Sequence, residues 1–182
     1  MRTLLTAAEL ATGIERLAGQ VRAAHGDRPL TVVGVLTGSI VLVADLIRRL
    51  PFAVSLELVQ ASSYRGAATR PGPLDLRLDL LPDLAGRHVL VVDDIFDSGR
   101  TLAALLAELE GRGAAGVRSL VLLRKAGRTE VAIEPDFVGF DIPDLFVVGY
   151  GLDHDGRYRN LPFVAALDED DLMPGGRAPV PP

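Results

Sequence analysis

Residues 89–101 read VLVVDDIFDSGRT, in which four apolar residues lead directly into a pair of acids. The valine-rich run at 88–92 is typical of a strand that is buried on both faces of a sheet. The small and polar residues at 98–100 then allow a tight turn, and an apolar pattern at 101–112 predicts a helix that Gly113 closes. This strand, turn and helix indicate an α/β protein.

Flanking segments repeat the same alternation. Thr6 and Glu9 form a capping-box pattern that predicts the start of a helix over 6–24. A second helix is expected over 40–50, where Pro51 ends it. Further strands are expected over 30–36, 54–60, 119–123 and 146–148, and a hairpin arm over 74–81. Strands that alternate with helices predict a mostly parallel central sheet flanked by helices.

Length and composition set limits on the class of protein. The chain of 182 residues fits a single domain, which we assign to residues 1–172. Residues 173–182 contain four prolines and two glycines and are expected to form a loose tail. The net charge of −5 disfavours nucleic-acid binding, and no apolar run is long enough to span a membrane. Because the chain also has no cysteine, we expect a cytoplasmic protein.

The turn after the strand at 88–92 has the composition of a phosphate site. Converging backbone N–H groups and the first turn of a helix bind anions, and Ser98 and Thr101 add hydroxyl donors. Asp93, Asp94 and Asp97 would repel a phosphate, so we expect them to face sugar hydroxyls or a Mg²⁺ ion that carries pyrophosphate. Helix capping is the alternative, although one acid would suffice for it.

This segment resembles the phosphoribosyl-pyrophosphate signature of type I phosphoribosyltransferases. Further landmarks are similar to the hypoxanthine-guanine branch of that family and span residues 36–162. They are LTGS at 36–39, SSY at 62–64, LLRK at 122–125, DFVGF at 136–140, FVVGYGLD at 146–153 and YRNLP at 158–162. The resemblance implies the type I phosphoribosyltransferase fold, with a small hood and a mobile loop beside the central sheet.

The resemblance also implies roles for the residues of the turn. Asp93 and Asp94 would meet the ribose hydroxyls, and Asp97 would be the general acid/base near N7 of the purine. The 5-phosphate of the substrate would be held by residues of the turn, namely Asp97, Ser98, Gly99, Arg100 and Thr101.

Pyrophosphate and its metal ion would lie beside this turn. By resemblance, Thr37, Gly38 and Ser39 form the pyrophosphate loop, with a cis peptide between Leu36 and Thr37. Human-type members carry a lysine where this chain has Thr37, so a role for the backbone is expected there. Arg159 would neutralise the departing pyrophosphate. Mg²⁺ is the implied cofactor, and its implied protein ligands are Asp153, Asp93 and Asp94.

The purine base would contact a third group of residues. Lys125 would donate to O6 of the base, and because an ammonium group only donates, it favours a 6-oxopurine over adenine. Phe146 would stack on the purine and the backbone of Val147 would contact its edge. A solvated lysine and a core phenylalanine are the alternatives. Ser62, Ser63 and Tyr64 would open the mobile loop.

Three functional alternatives stay open at this point. The first is a phosphoribosyltransferase for xanthine, adenine or uracil, and the second is a nucleotide-sensing RNA-binding regulator with the same fold. The third is an α/β domain without assignable activity. The family resemblance implies small-molecule substrates, namely phosphoribosyl pyrophosphate and a purine base, and a homodimer or homotetramer. His25, His88 and His154 lack the spacing of metal ligands and have no predicted role.

Overall fold

The computed structural model of the chain describes residues 1–63, 74–168 and 171, and shows two sheets and three helices within them. The helices are α1 (Ala7–His25), α2 (Ile40–Ile47) and α3 (Arg100–Gly111). The strands are β1 (Arg2–Leu5), β2 (Leu30–Leu36), β3 (Val54–Ser63), β4 (Leu74–Arg77), β5 (His88–Phe96), β6 (Gly116–Lys125), β7 (Phe137–Ile142), β8 (Val147–Val148) and β9 (Val164–Ala166).

The central sheet has six strands in the order β4-β3-β2-β5-β6-β7. All neighbours are parallel except β4, which pairs with β3 as the antiparallel arm of a hairpin. The predicted mostly parallel sheet is therefore confirmed. Residues of α1 and α2 pack with one face of this sheet, and residues of α3 pack with the other.

Helix α1 begins as its sequence predicts. The Thr6 side chain accepts a hydrogen bond from the backbone N–H of Glu9 at 3.3 Å, and the Glu9 carboxylate accepts one from the backbone N–H of Thr6 at 2.8 Å. These reciprocal bonds satisfy two N–H groups that would otherwise lack a partner. Leu10, Ile14 and Leu17 are buried on the inner face.

Several predicted boundaries were wrong. Strands β3 and β6 extend beyond the predicted 54–60 and 119–123, and β4 ends at Arg77 before the predicted end at 81. Strand β5 continues past Val92 to Phe96, because Asp93 and Ile95 remain paired with Val121 and Leu123 of β6. The first two acids of the signature therefore lie within the strand and not after it. Helix α2 ends at Ile47, three residues before the predicted end.

A small second sheet, which we call the hood, consists of β1, β9 and β8 in that order. The strand predicted over 146–148 belongs to the hood and not to the central sheet, where β7 occupies the edge instead. Val147 and Val148 pair with Ala166 and Ala165, which follow much later in the chain. The hood therefore arises from pairings that no local pattern indicates.

Some predictions lie outside the described residues. These are Tyr64 with most of the expected mobile loop, and the expected tail at 173–182. Within the described part, no helix is both long enough and apolar enough to cross a membrane.

Candidate active site

A cleft of about 320 Å³ lies at the carboxyl ends of β2 and β5. Ligands of parallel α/β sheets bind at this edge, because the loops that follow the strands meet there. Many of the residues predicted from the sequence line this one cleft, although they come from four separate segments. They are Thr37, Gly38, Asp93, Asp94, Asp97, Ser98, Gly99, Thr101, Asp153 and Arg159.

The turn into α3 has the geometry of an anion site. Gly99 adopts φ +82°, which favours glycine, and α3 begins at the next residue. A side chain at Gly99 would also come within 2.5 Å of Val131 and 2.7 Å of the Phe96 ring. Glycine therefore allows the turn to pack closely at this position. The helix that follows begins with N–H groups that have no acceptor within the helix. The turn can therefore bind a phosphate group through backbone donors.

Two predicted residues can contribute only through their backbones in this arrangement. The Arg100 guanidinium pairs with Glu130 at 2.6 Å. The Ser39 hydroxyl is fully buried and donates to the Val35 carbonyl at 2.6 Å. The predicted contact of Arg100 with the 5-phosphate, and that of Ser39 with pyrophosphate, would therefore use backbone N–H groups.

Asp93, which is buried, and Asp94, which is half-buried, form a carboxylate pair beside Gly38. The Asp93 side chain accepts a hydrogen bond from the backbone N–H of Asp94 at 2.9 Å. Burial and the neighbouring Asp94 charge raise the pKa of Asp93 well above its ordinary value. Burial also raises the pKa of Asp94, and the positive charge of Arg159 partly opposes this change. The pair is poised to accept hydrogen bonds or a cation from a ligand.

The predicted pyrophosphate loop at 37–39 packs against the Asp93–Asp94 pair and against the segment at 149–151, which follows strand β8 of the hood. The peptide between Leu36 and Thr37 is cis, as predicted. Gly38 touches the Asp94 carboxylate so closely that a Cβ there would lie 2.5 Å from the Asp94 Cγ. Gly151 adopts φ +101°, and a Cβ at Gly151 would overlap the Gly38 carbonyl. Two glycines therefore allow the loop, the acid pair and the segment at 149–151 to meet.

Tyr150 anchors this segment and was missed in the sequence. Its hydroxyl donates to the Asp45 carboxylate on α2, and its backbone has φ +51°. Burial and the Asp45 carboxylate raise the pKa of Tyr150, so the phenol stays protonated and keeps donating. The sequence signal that could have indicated it is a tyrosine between two glycines. Its partner Asp45 could not be predicted in the same way, because it is distant in the chain.

Asp153 and Arg159 form an ion pair at the rim of the cleft. The Arg159 guanidinium lies 2.7 Å from the Asp153 carboxylate and donates to the Gly151 carbonyl at 2.6 Å. Asp153 also accepts a hydrogen bond from the backbone N–H of Gly156 at 2.8 Å. The arginine and the acid predicted to act on pyrophosphate are thus adjacent.

Asp97 belongs to a network of four charged side chains. Its carboxylate lies 3.0 Å from the Arg128 Nε and 3.8 Å from the Lys125 ammonium. Asp144 contacts the same two cations, at 3.2 Å from Lys125 and 3.7 Å from Arg128. The Lys125 side chain is only 12% exposed, which excludes the alternative of a freely solvated lysine.

Arg128 and Asp144 were missed in the sequence. Arg128 lies three residues after Lys125 in the loop that follows β6, and Asp144 lies in the loop that follows β7. Both loops begin at the carboxyl ends of neighbouring parallel strands, and that shared edge was the signal that could have indicated them.

Phe146 and Val147 are not among the described residues that line the cleft. The Phe146 side chain is 44% exposed, so the core alternative was wrong, and its ring meets the His154 ring edge-on at a centroid distance of 5.2 Å. Val147 is buried in β8. Ser62 and Ser63 end β3, where their backbones pair with Asp75 and Leu74, and the roles predicted for all these residues stay predictions.

The cleft also fits a hard divalent cation. Asp93 and Asp94 offer neighbouring carboxylate oxygens, and the charge of Arg159 acts on Asp94 from the rim. Mg²⁺ is usually bound through one or two carboxylates together with water and substrate phosphates, so it does not require a full cage of protein ligands. Within the described residues, the predicted ligands Asp93, Asp94 and Asp153 are not gathered into one cluster of three.

Comparison with known proteins agrees with this geometry. The phosphoribosyl transferase domain family matches residues 2–155. The hypoxanthine-guanine phosphoribosyltransferase of Streptococcus pneumoniae strain R6 is 36% identical over 169 residues, which are 93% of this chain and 94% of that protein. The bifunctional protein TilS/HprT of Listeria innocua is 39% identical over 166 residues, and this chain spans only 26% of its length.

A solved structure shows the same similarity in three dimensions. The hypoxanthine-guanine phosphoribosyltransferase of Bacillus anthracis, crystallised with a HEPES molecule in its active site, superposes with a TM-score of 0.87. The two sequences are 36% identical, and the match covers 92% of this chain and 99% of that chain. Since the family match extends over most of the sequence and the fold agrees, this chain belongs to the phosphoribosyl transferase domain family.

Proposed function

We propose that this chain is a purine-salvage enzyme. It transfers the 5-phosphoribosyl group from phosphoribosyl pyrophosphate to hypoxanthine or guanine and releases pyrophosphate with IMP or GMP. The proposal is supported by the names of its relatives, which include hypoxanthine-guanine phosphoribosyltransferases matched over nearly their whole length. We place the reaction in the cytoplasm, with which the lack of cysteine agrees.

One structural observation carries the proposal. The anion-binding turn, the acid pair and Asp97 all line one cleft at one edge of the sheet, and the Lys125 ammonium lies 3.8 Å from the Asp97 carboxylate. If the turn holds the phosphate of a sugar phosphate, the ribose hydroxyls would lie near Asp93 and Asp94. These carboxylates are only partly neutralised by nearby cations and can accept hydrogen bonds from the hydroxyls. The anomeric carbon of the sugar would then lie between Arg159 on one side and Asp97 on the other.

The side chains suggest how the displacement proceeds. The 5-phosphate binds at the N-terminus of α3, and the ribose hydroxyls donate to Asp93 and Asp94. Arg159 offers a fork of N–H donors to the departing pyrophosphate, and the backbone of Thr37 and Gly38 contacts its other oxygens. Fixing both reactants in one cleft supplies much of the acceleration, because it removes the entropy of bringing them together.

Asp97 would accept the proton of the purine. A carboxylate within hydrogen-bonding reach of N7 can take the N7 proton as N9 forms the new bond to the sugar. Arg128 and Lys125 hold this carboxylate in place before the base binds.

Mg²⁺ is part of the proposal. The residues that would hold it are the adjacent acids Asp93 and Asp94, or Asp153 at the rim of the cleft, each together with oxygens of the substrate. When bound, it neutralises charge on the pyrophosphate leaving group.

Lys125 is the residue that favours a 6-oxopurine. Its ammonium can donate to a carbonyl oxygen but has no lone pair to accept from an amino group. Phe146 is exposed, lies two residues after Asp144 in the chain, and can stack on the base. The adenine alternative is therefore disfavoured. Preference among hypoxanthine, guanine and xanthine depends on how the backbone of Val147 would contact the edge of the base.

The direct test is release of pyrophosphate from phosphoribosyl pyrophosphate with hypoxanthine, guanine, xanthine or adenine, each with and without Mg²⁺. We expect rapid release with hypoxanthine or guanine, only in the presence of the metal. Rapid release with adenine and none with the 6-oxopurines would contradict the assignment of Lys125. No release with any base would contradict the proposed function.

We also propose that the enzyme assembles as a homodimer or homotetramer. Leu56 and Leu58 lie on β3 and are 42% and 38% exposed, and Ile40 at the start of α2 is 44% exposed. Such apolar exposure is typical of a surface that a second subunit covers. Light scattering after gel filtration would measure the mass, and Leu56→Glu should shift it towards the monomer.

A further inference from the structure

A second cavity lies at the edge of the central sheet opposite the active site. It has a volume of about 260 Å³ and lies between the C-terminal end of α1 and the amino ends of β2, β5 and β6. It shares no lining residue with the cleft that contains Asp97. Because the two cavities lie at opposite ends of the same strands, the proposed reaction does not use this one.

Four basic side chains from separate elements line this cavity, and we call it the His/Arg pocket. His25 ends α1, Arg28 follows it in the loop to β2, His88 begins β5 and Arg118 lies on β6. His25 and His88 were given no role in the sequence, where they are far apart. In the fold their rings meet edge-on at a centroid distance of 5.5 Å.

Hydrogen bonds fix the arrangement of three of these side chains. Arg28 donates to the carbonyl oxygen of His25 from two nitrogens, at 3.1 and 3.0 Å. A third Arg28 nitrogen lies 3.1 Å from Nε2 of His88. Since arginine only donates, Nε2 of His88 accepts and the neutral ring carries its proton on Nδ1. His25 in turn faces the carbonyl of Arg28 with its Nε2 at 2.8 Å and therefore donates.

The positive charge in the pocket has no acidic partner there. Among the described residues that line the cavity there is no aspartate or glutamate. Burial, followed by the positive charges of Arg28, His25 and Arg118, lowers the pKa of His88. An excess of cations in a protein of net charge −5 is a local feature and not a reflection of overall composition.

Two nearby acids do not change this conclusion. Asp27 precedes Arg28 in the chain but is exposed and does not line the cavity. Asp136 is next to a lining residue, but its carboxylate accepts hydrogen bonds from the backbone N–H and the hydroxyl of Ser119, at 2.8 and 2.9 Å. The basic groups of the pocket are therefore left to an external anion.

A purely structural role accounts for only part of the cluster. Arg28 and His25 satisfy groups at the end of α1, as basic residues often do at helix C-termini. Arg118 is exposed on β6 and, within the described part of the chain, makes no ion pair. It is a cation directed at the cavity that the fold does not otherwise use.

The rest of the wall is apolar. Val21, Leu30, Leu90 and Phe137 line the inner side of the cavity. Apolar walls with a few convergent polar groups are typical of small-molecule sites, and arginine suits phosphate and carboxylate geometry. We propose that the His/Arg pocket binds a small organic oxyanion, with its phosphate or carboxylate group on Arg28 and Arg118 and its apolar body against Phe137.

The histidines provide a direct test in the intact protein. The chain has only three, so nuclear magnetic resonance of ¹⁵N-labelled histidine rings can follow each one during a titration. His88 and His25 report on the pocket. His154, beside Phe146, reports on the active site. The probes are phenyl phosphate, benzoate and inorganic phosphate, with chloride keeping the ionic strength constant.

We expect His88 to shift saturably with phenyl phosphate and its pKa to rise in the complex. Phenyl phosphate should bind at least about tenfold more tightly than inorganic phosphate, because its ring buries apolar surface. A response to phenyl phosphate but not to benzoate would assign the pocket to phosphates, and the reverse to carboxylates. Either result supports an oxyanion site.

Two variants distinguish a site from general charge screening. Arg118→Ala should weaken the binding reported by His88 about tenfold and leave pyrophosphate release unchanged. Arg112→Ala removes a cation that already pairs with Glu108 on α3, and it should leave the His88 response unchanged. The proposal is overturned if His88 does not respond through the millimolar range, or if it responds equally in Arg118→Ala and the unaltered protein.

Discussion

The contact between Gly38 and Asp94 can be tested with a single methyl group. In Gly38→Ala the new Cβ would lie 2.5 Å from the Asp94 Cγ and 3.4 Å from its Cβ. Carbon atoms in contact are about 3.5–4.0 Å apart, so the carboxyl group must move by about 1 Å or more. Gly38 does not adopt a positive φ, so the backbone itself accommodates alanine.

The expected cost follows from this overlap. Overpacking of a well-packed site destabilises by about 1–3 kcal/mol, and turning the Asp94 side chain out of its rotamer adds about 1 kcal/mol. We expect Gly38→Ala to lower the free energy of unfolding by about 2–4 kcal/mol. In an Asp94→Ala background only the 3.4 Å contact to Cβ remains, so the same substitution should cost less than about 1 kcal/mol.

Urea unfolding of the four proteins in this cycle measures the coupling directly. Gly19→Ala is a matched control, because Gly19 lies within α1 with only the end of the Arg22 side chain nearby, at 3.6 Å. There alanine should stabilise by about 0.5–1 kcal/mol. If Gly38→Ala costs the same with and without the Asp94 side chain, the close approach of loop and acid pair is not what requires glycine.

Four further results are expected. Asp97→Asn should leave substrate binding nearly unchanged and lower turnover by about 10²–10⁴, which single-turnover kinetics would measure; normal turnover would remove Asp97 from the mechanism. The raised pKa of Asp93 means that the native state holds this proton more tightly than the unfolded chain does. The free energy of unfolding should therefore fall as pH rises from the ordinary aspartate pKa through the native one. Asp93→Asn should remove this loss and stabilise the protein by about 1 kcal/mol at neutral pH. If the difference in stability between Asp93→Asn and the unaltered protein does not change with pH, this reasoning is contradicted. Lys125→Gln should raise the KM for hypoxanthine by about 10–100-fold, and an unchanged KM would show that the ammonium does not contact the base. Thr6→Ala should cost about 1 kcal/mol in urea unfolding without loss of activity, and a full-strength helix in that variant would exclude the capping box as its start.

Strands β2 and β5 could be predicted because their signals are local. Each is an apolar, valine-rich run followed by small or acidic residues, and this pattern alone indicates a buried parallel strand. The end of β5 could not be predicted, because polar residues at 93 and 94 usually indicate that a strand has ended. Pairing of Asp93 with Val121 on β6 overrides that local preference.

The hood could not be predicted for a related reason. Val147 and Val148 have the composition of a strand, but the identity of their partner depends on β9, which lies in a different part of the chain. A two-residue strand has too few positions to show any alternation. The same limit applies to the site, where Arg128 and Asp144 approach Asp97 only because the loops after β6 and β7 share one edge.

The charged network around Asp97 also bears on how the base would bind. The Lys125 side chain is only 12% exposed, and its ammonium is held by Asp144 at 3.2 Å. A carbonyl oxygen of the base would therefore meet a donor whose side chain is already largely removed from water, which reduces the desolvation that opposes the contact. Because Asp144 and Arg128 fix the positions of Lys125 and Asp97 beforehand, the donor and the proton acceptor need little reorganisation when the base arrives. The two residues absent from the sequence-based prediction thus explain how the predicted pair can act together.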